Sequence, residues 1–218
     1  MNTNVNLAAP VGVLVLLGTG FVLLVALIFL IQSLIVRKRR RAKLVLVVVI
    51  AICALYLAGI LAFSFAGKEK VLARGEEKHF CEVDCHLAYS IINVRRANAL
   101  DEPPGQTNAQ GKFTIVTIKT RFDEKTISAG RGNGPLYPNS RVVTLIDESG
   151  NRYGAASQRG TALPTPLRPA ESYTTEIVFN VPAEAKPSAL LINEGEWITH
   201  FVIGHENSPL HKKTRFQL

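Results

Sequence analysis

The stretch EKHFCEVDCHLAY, Glu77–Tyr89, holds the residue types best suited to chemistry. Cys81 and Cys85 are spaced C-x3-C and flanked by His79 and His86. Soft thiolate sulfur and imidazole nitrogen suit Cu(I) or zinc, so His79, Cys81, Cys85 and His86 form a candidate set of three or four metal ligands. The same thiols could instead close a disulfide, act as a redox pair or stay unpaired. Four residues of extended strand cover about 13 Å at roughly 3.3 Å each. A disulfide needs Cα atoms within about 7 Å. A Cys81–Cys85 bridge therefore requires a turn at Glu82-Val83-Asp84, and it is the leading reading. Glu82 and Asp84 favour the thiol over the thiolate, which counts against the redox pair.

Other candidate chemistry is sparse. No Ser-His-Asp order, nucleophile elbow, phosphate loop or paired-carboxylate motif stands out. Arg131-Gly132-Asn133-Gly134 lacks the following helix that a phosphate cradle needs. His200, in EWITHFVIG, is expected on a strand facing outward, and His205-Glu206 follows at that strand's end. The polar run Gly204–Leu218 reads as a final loop and short strand, with a docking tail as the functional alternative. The expectation is a protein that is not an enzyme, with no catalytic residue and no cofactor besides possible copper or zinc at the cysteine cluster.

Two long apolar runs must position this cluster. Val11–Val36 and Leu44–Ala66 contain no Asp, Glu, Lys, Arg or His. Each reaches the roughly 20 residues needed to cross a hydrocarbon core, and in lipid both should be helices. The absence of ionisable residues argues against a proton path, channel or transporter built from these spans. Gly18, Gly20 and Gly59 are positions for close packing within the hairpin or onto another subunit. A signal peptide fits poorly, because the segment ahead of the first run lacks Lys and Arg and the run is long.

The net charge of +8 is concentrated between these runs. Arg37, Lys38, Arg39, Arg40, Arg41 and Lys43 supply six positive charges. The remaining 19 basic residues nearly balance the 17 acidic ones. The chain is therefore not a nucleic-acid binder by charge. The basic loop is a topology signal that belongs in the cytoplasm by the positive-inside rule, and it also suits anionic inner-leaflet lipids. The expected location is the cytoplasmic (inner) membrane, crossed by two helices, with the N- and C-termini outside. The boundaries are a short outer N-terminus at 1–10, helices at 11–36 and 44–66, a cytoplasmic loop at 37–43, a stalk at 67–78 and an outer domain at 79–218.

The outer domain reads as β-structure. Strands are expected at His86–Val94, Lys112–Phe122, Ser140–Asp147, Arg152–Ser157, Ser172–Pro182, Ser188–Asn193 and Glu196–Gly204. In Ser172–Pro182 the residues Tyr173, Thr175, Ile177, Phe179 and Val181 alternate with Thr174, Glu176 and Asn180, the period of a half-buried strand. Trp197 and Phe201 are expected in the core with Tyr89, Ile118, Leu145 and Phe179. About seven strands with Pro/Gly-rich connections imply an all-β, Ig-like antiparallel sandwich.

The succession FTIVTIKTRFDEKTI, VVTLIDESGNRYGA and LRPAESYTTEIVFNVP resembles a bacterial family of Ig-like domains of unknown function. That family occurs in lipoproteins and membrane-anchored proteins. The resemblance covers roughly Phe113–Asn193. It is carried by Leu145, Asp147, Gly150, Tyr153, Leu167, Pro169, Glu171, Phe179, Val181 and Pro182, with Ala170 where glycine is usual. It implies fold and compartment and no catalytic residue. The overall plan of two helices followed by a β domain is also loosely similar to cytochrome oxidase subunit II. The dinuclear copper motif of that family matches only at Cys81 and Cys85. Glu82 is one position early, Tyr89 replaces a histidine and Ile92 a methionine. The expected role is a membrane-anchored accessory or binding module whose partners are the lipid bilayer and another membrane or extracytoplasmic protein. The alternative is copper or zinc handling, or association with a respiratory complex.

Overall fold

The computed structural model describes residues 8–80, 85–102, 105–125 and 132–218. The chain divides into two compact units. One contains the two helices and Trp197–Lys212; the other contains Glu69–Glu196 and Lys213–Leu218.

In the first unit, α1 (Ala8–Ile35) and α2 (Arg39–Ala66) are each 28 residues long. Both are long and apolar enough to cross a membrane. Their outward faces are apolar, with Phe21, Leu24, Leu55 and Leu57 exposed. The connection is tight: Lys38 N donates to Ser33 O at 2.9 Å, and Arg37 takes the left-handed conformation at φ 54°. Arg39, Arg40 and Arg41 open α2. Cations there oppose the helix dipole, which favours anions at an N-terminus. Helix stability therefore does not account for their placement.

The second unit is a β-sandwich of two five-stranded sheets. One sheet runs β1 (Lys70–Leu72), β10 (Thr214–Gln217), β9 (Pro187–Glu194), β5 (Arg141–Asp147), β6 (Arg152–Gly154). The other runs β2 (Lys78–Phe80), β3 (Leu87–Glu102), β4 (Gly105–Phe122), β8 (Ser172–Val181), β7 (Ser157–Gly160). All pairings are antiparallel except β1 with β10, which is parallel from Lys70↔Thr214 to Leu72↔Phe216. Inward residues of both sheets form one core: Leu72, Val143, Leu145, Leu190, Ile192 and Phe216 meet Tyr89, Val116, Ile118, Ile177 and Phe179. The expected alternation in β8 is present, with Thr175, Ile177, Phe179 and Val181 buried. Val178 is also buried, on the opposite face. It joins Leu100, Phe113 and Ile115 in a smaller cluster.

Three expectations need correction. Ten strands are described rather than about seven, because short strands border both sheets. The segment 67–78, expected as a stalk, contains β1. Glu196–Gly204 is not a strand: Trp197–Phe201 is a 3-10 helix, and Trp197 and Phe201 are exposed rather than in the core. A period of two in apolar residues does not by itself make a strand where no neighbouring strand offers a hydrogen-bond ladder.

Candidate functional site

The site is built from three adjacent strands. In register, His79 on β2 faces Ala88 on β3, and Ala88 faces Arg121 on β4. Side chains along such a row project from the same face. Ala88 is small enough to leave its flanking neighbours room above it. Residues two apart share that face as well, which adds Glu77 beside His79 and Asp123 beside Arg121. One imidazole, two carboxylates and one guanidinium therefore converge at the end of the sheet.

Arg121 grips Glu77 with two parallel bonds, Nε to Oε1 at 2.8 Å and Nη2 to Oε2 at 2.7 Å. The same Nη2 lies 3.2 Å from Asp123 Oδ2. His79 Nε2 lies 2.9 Å from that oxygen. A carboxylate only accepts, so Nε2 carries the proton. His79 Nδ1 is buried without a hydrogen-bond partner among the described residues. His86 belongs to the same knot: its Nδ1 donates to Asp123 O at 2.5 Å, and Asp123 N donates to His86 O at 2.7 Å. The His86 ring stacks on Phe122 with centroids 4.9 Å apart.

Burial alone would raise the Asp123 carboxyl. Hydrogen bonds from His79 and the Lys125 amide, with the charge of Arg121, outweigh it and hold the group below the usual carboxylate range. Glu77 is also held low, chiefly by its bonds to Arg121, against partial burial. The Arg121 guanidinium is pushed up, mainly by Glu77. These are the shifts expected when opposite charges are paired and hydrogen-bonded.

The cluster brings His79 and His86 together through Asp123. Cys85 is fully buried immediately before His86. Cys81 and the turn Glu82-Val83-Asp84 lie outside the described residues, as does Arg131. Cys53 is free and faces outward on α2. The ligand atoms of Glu77, His79 and Asp123 lie within 4.8 Å of one another. That spacing suits a cation, but the Arg121 guanidinium already lies against both carboxylates. An ion among these three groups would have to displace it or share the acids with it. The arrangement fits a structural charge knot better than a metal centre. Sequence reading missed Glu77, Arg121 and Asp123. Their signal is RFD, two charges alternating around Phe122 where an apolar strand ends.

A second polar centre organises the β5–β6 hairpin. Asp147 accepts from the Ser149 and Asn151 amides at 2.9 and 2.8 Å, from Asn151 Nδ2 at 2.9 Å and from Tyr153 OH at 2.8 Å. Gly150 takes φ 84° within this turn. The LxDxxGxxY spacing is thus a folding device. Its acid nucleates the turn, its glycine supplies the left-handed residue, and its tyrosine returns to bond the acid.

His200 is exposed on the 3-10 helix. His205 is buried, and its Nδ1 accepts from the Asn207 amide at 3.0 Å.

No family model matches the chain, and no curated protein matches it. Among solved structures, it is similar to the secreted protein MPT63 from Mycobacterium tuberculosis, at 13% identity, covering 69% of this chain and 98% of that one with a TM-score of 0.46. It is also similar to an uncharacterized beta-sandwich protein from Clostridium difficile 630, at 9% identity, covering 70% and 95% with a TM-score of 0.42. The β-sandwich is defined by its own strands, pairing and core.

Proposed function

We propose that this chain is a membrane-anchored, extracytoplasmic accessory module of the Ig-like class that binds or assembles with another protein and catalyses no reaction. The observation that carries this reading is the sequence of parts: two helices of membrane-spanning length and composition, then a sandwich whose polar knot is bonded within itself. Glu77, Arg121, Asp123, His79 and His86 hold the ends of three strands together. Such a group stiffens a domain that presents surfaces. The basic loop Arg37–Lys43 supports a cytoplasmic hairpin turn, with both chain ends on the other side.

A Cys81–Cys85 disulfide belongs to the same reading. It is supported by the complete burial of Cys85 beside the knot and by an oxidising exterior. A copper- or zinc-handling role draws on the closeness of Glu77, His79 and Asp123, and it is the weaker reading because Arg121 already balances the acids.

Gentle affinity purification of the full chain from membranes, with partner identification, metal analysis and thiol labelling, tests both readings. The expected result is a co-purifying membrane or extracytoplasmic protein, no stoichiometric metal, and two thiols that label only after reduction. Copper or zinc at one equivalent, lost in a His79→Ala variant, would overturn it in favour of metal handling.

A further inference from the structure

The segment Trp197–Lys212 buries several polar side chains and exposes large apolar ones. Apart from Val202, its buried side chains are polar: Thr199, His205, Asn207 and Ser208. They are tied inward. Asn207 Nδ2 donates to Thr199 Oγ1 at 2.9 Å, and Ser208 Oγ donates to Val202 O at 2.5 Å. The backbone closes on itself in successive turns: Val202 N to Thr199 O, His205 N to Val202 O, Ser208 N to His205 O and His211 N to Ser208 O, all between 3.0 and 3.3 Å. Other than His200, Pro209 and Lys212, its exposed side chains are large and apolar. Trp197 is 70% exposed, and Ile198, Phe201 and Leu210 are exposed with it. The Trp197 and Phe201 rings meet edge to face at 5.8 Å. Each such side chain left in water forgoes the favourable burial of its apolar area.

The segment packs on the helices. Tyr56 OH donates to Phe201 O at 2.7 Å. Gly12 is approached so closely that a Cβ there would collide with Ile203 O, and a Cβ at Gly59 would stand 3.2 Å from Ile203 Cδ1. At 1.5 Å per residue, Gly12 lies about 35 Å along α1 from Ile35 and Gly59 about 30 Å along α2 from Arg39, so both stand at nearly the same distance from the tight turn. A hydrocarbon core about 30 Å thick that begins at the basic loop ends near that level. The segment therefore lies close to the boundary between acyl chains and headgroups. Irregular backbone is tolerated near that depth when its own polar groups are satisfied. Tryptophan is enriched there.

We propose that Trp197–Lys212 is an interfacial membrane anchor, with Trp197, Ile198, Phe201 and Leu210 seated among the lipids of the leaflet remote from the basic loop. The proposal rests on the hairpin spanning the bilayer. Its partner is lipid, recognised through apolar area and an aromatic pair. The chain would then hold the membrane at a third place, separated in sequence from the helices by most of the sandwich.

Trp197 is the chain's one tryptophan, so the unaltered protein carries its own probe. The full chain is reconstituted in phosphatidylcholine vesicles with bromine on shallow acyl carbons, and emission is compared with aqueous iodide quenching. A Trp197→Phe, Phe29→Trp variant reports the hairpin, because Phe29 is exposed on α1. Brominated lipid is expected to reduce Trp197 emission to roughly half or less, with iodide quenching several-fold weaker than for free indole, as for a residue at the interface. Quenching at position 29 but not at Trp197, with Trp197 open to iodide, overturns the anchor and leaves the spanning hairpin standing. That same pattern in lipid, with Trp197 shielded only in native membranes, assigns the surface to a protein and also overturns the lipid proposal. No quenching at position 29 overturns both readings.

Discussion

Ala170 stands where the resembling family has glycine, and its backbone shows why glycine is used there. It adopts φ 65°, within a turn closed by Glu171 N to Arg168 O at 3.0 Å and Arg168 N to Glu171 Oε2 at 2.8 Å. A left-handed L-residue costs about 1–2 kcal/mol. Glycine removes that strain but adds up to about 1 kcal/mol of unfolded-state freedom. Ala170→Gly should therefore stabilise the sandwich by about 1 kcal/mol, a rise of about 4 °C in its calorimetric transition for a domain of this size. An unchanged or lower transition would show that the turn relaxes around alanine without strain. The motif residues were legible in the sequence because each acts on its immediate neighbours: Asp147, Gly150 and Tyr153 close one hairpin. The knot was only half legible. His79 and His86 stood out by type, but their link through Asp123 depends on the register His79–Ala88–Arg121 across three strands, which local spacing does not encode.

At the level of elements, the two apolar helices and the central strands could be read directly, since their apolar runs are long or strictly alternating. The edges could not. β1, β2 and β10 are three or four residues long and exist through their partners. β1 is paired with β10 alone, and Leu72 and Phe216 carry that pair into the core. Removing Thr214–Leu218 should therefore release β1 as well. Hydrogen exchange is expected to show loss of protection at Lys70–Leu72 along with new exchange on the exposed edge of β9. Protection retained at β1 in the shortened chain would contradict this pairing. Glu196–Gly204 misled for a different reason. Its alternation is real, but Trp197 and Phe201 point outward on a 3-10 helix that packs with the hairpin instead of joining a sheet.

For the molecule as a whole, charge pairing sets the response to acid. Glu77, Asp123 and Asp147 all titrate below their ordinary values in the folded state, so the unfolded chain binds more protons as pH falls. Stability from these groups is complete above the unfolded carboxylate range and is lost as pH drops through the lower folded values. The sandwich transition should be nearly flat from about pH 7 to 5 and fall steeply below about pH 4. Glu77→Gln with Asp123→Asn should lower it at neutral pH and flatten the acid limb. A limb of unchanged steepness in that variant would place the acid sensitivity elsewhere.

The parallel pair of β1 and β10 also orders events in time. β1 follows α2 directly, so it leaves the ribosome early, while its partner strand comes after nearly all of the sandwich. The polypeptide just after α2 must therefore wait unpaired until Thr214–Gln217 has been made. Until then β9 presents a raw edge where β10 will later sit. The finished protein is latched at that point by the strand synthesised last of the ten.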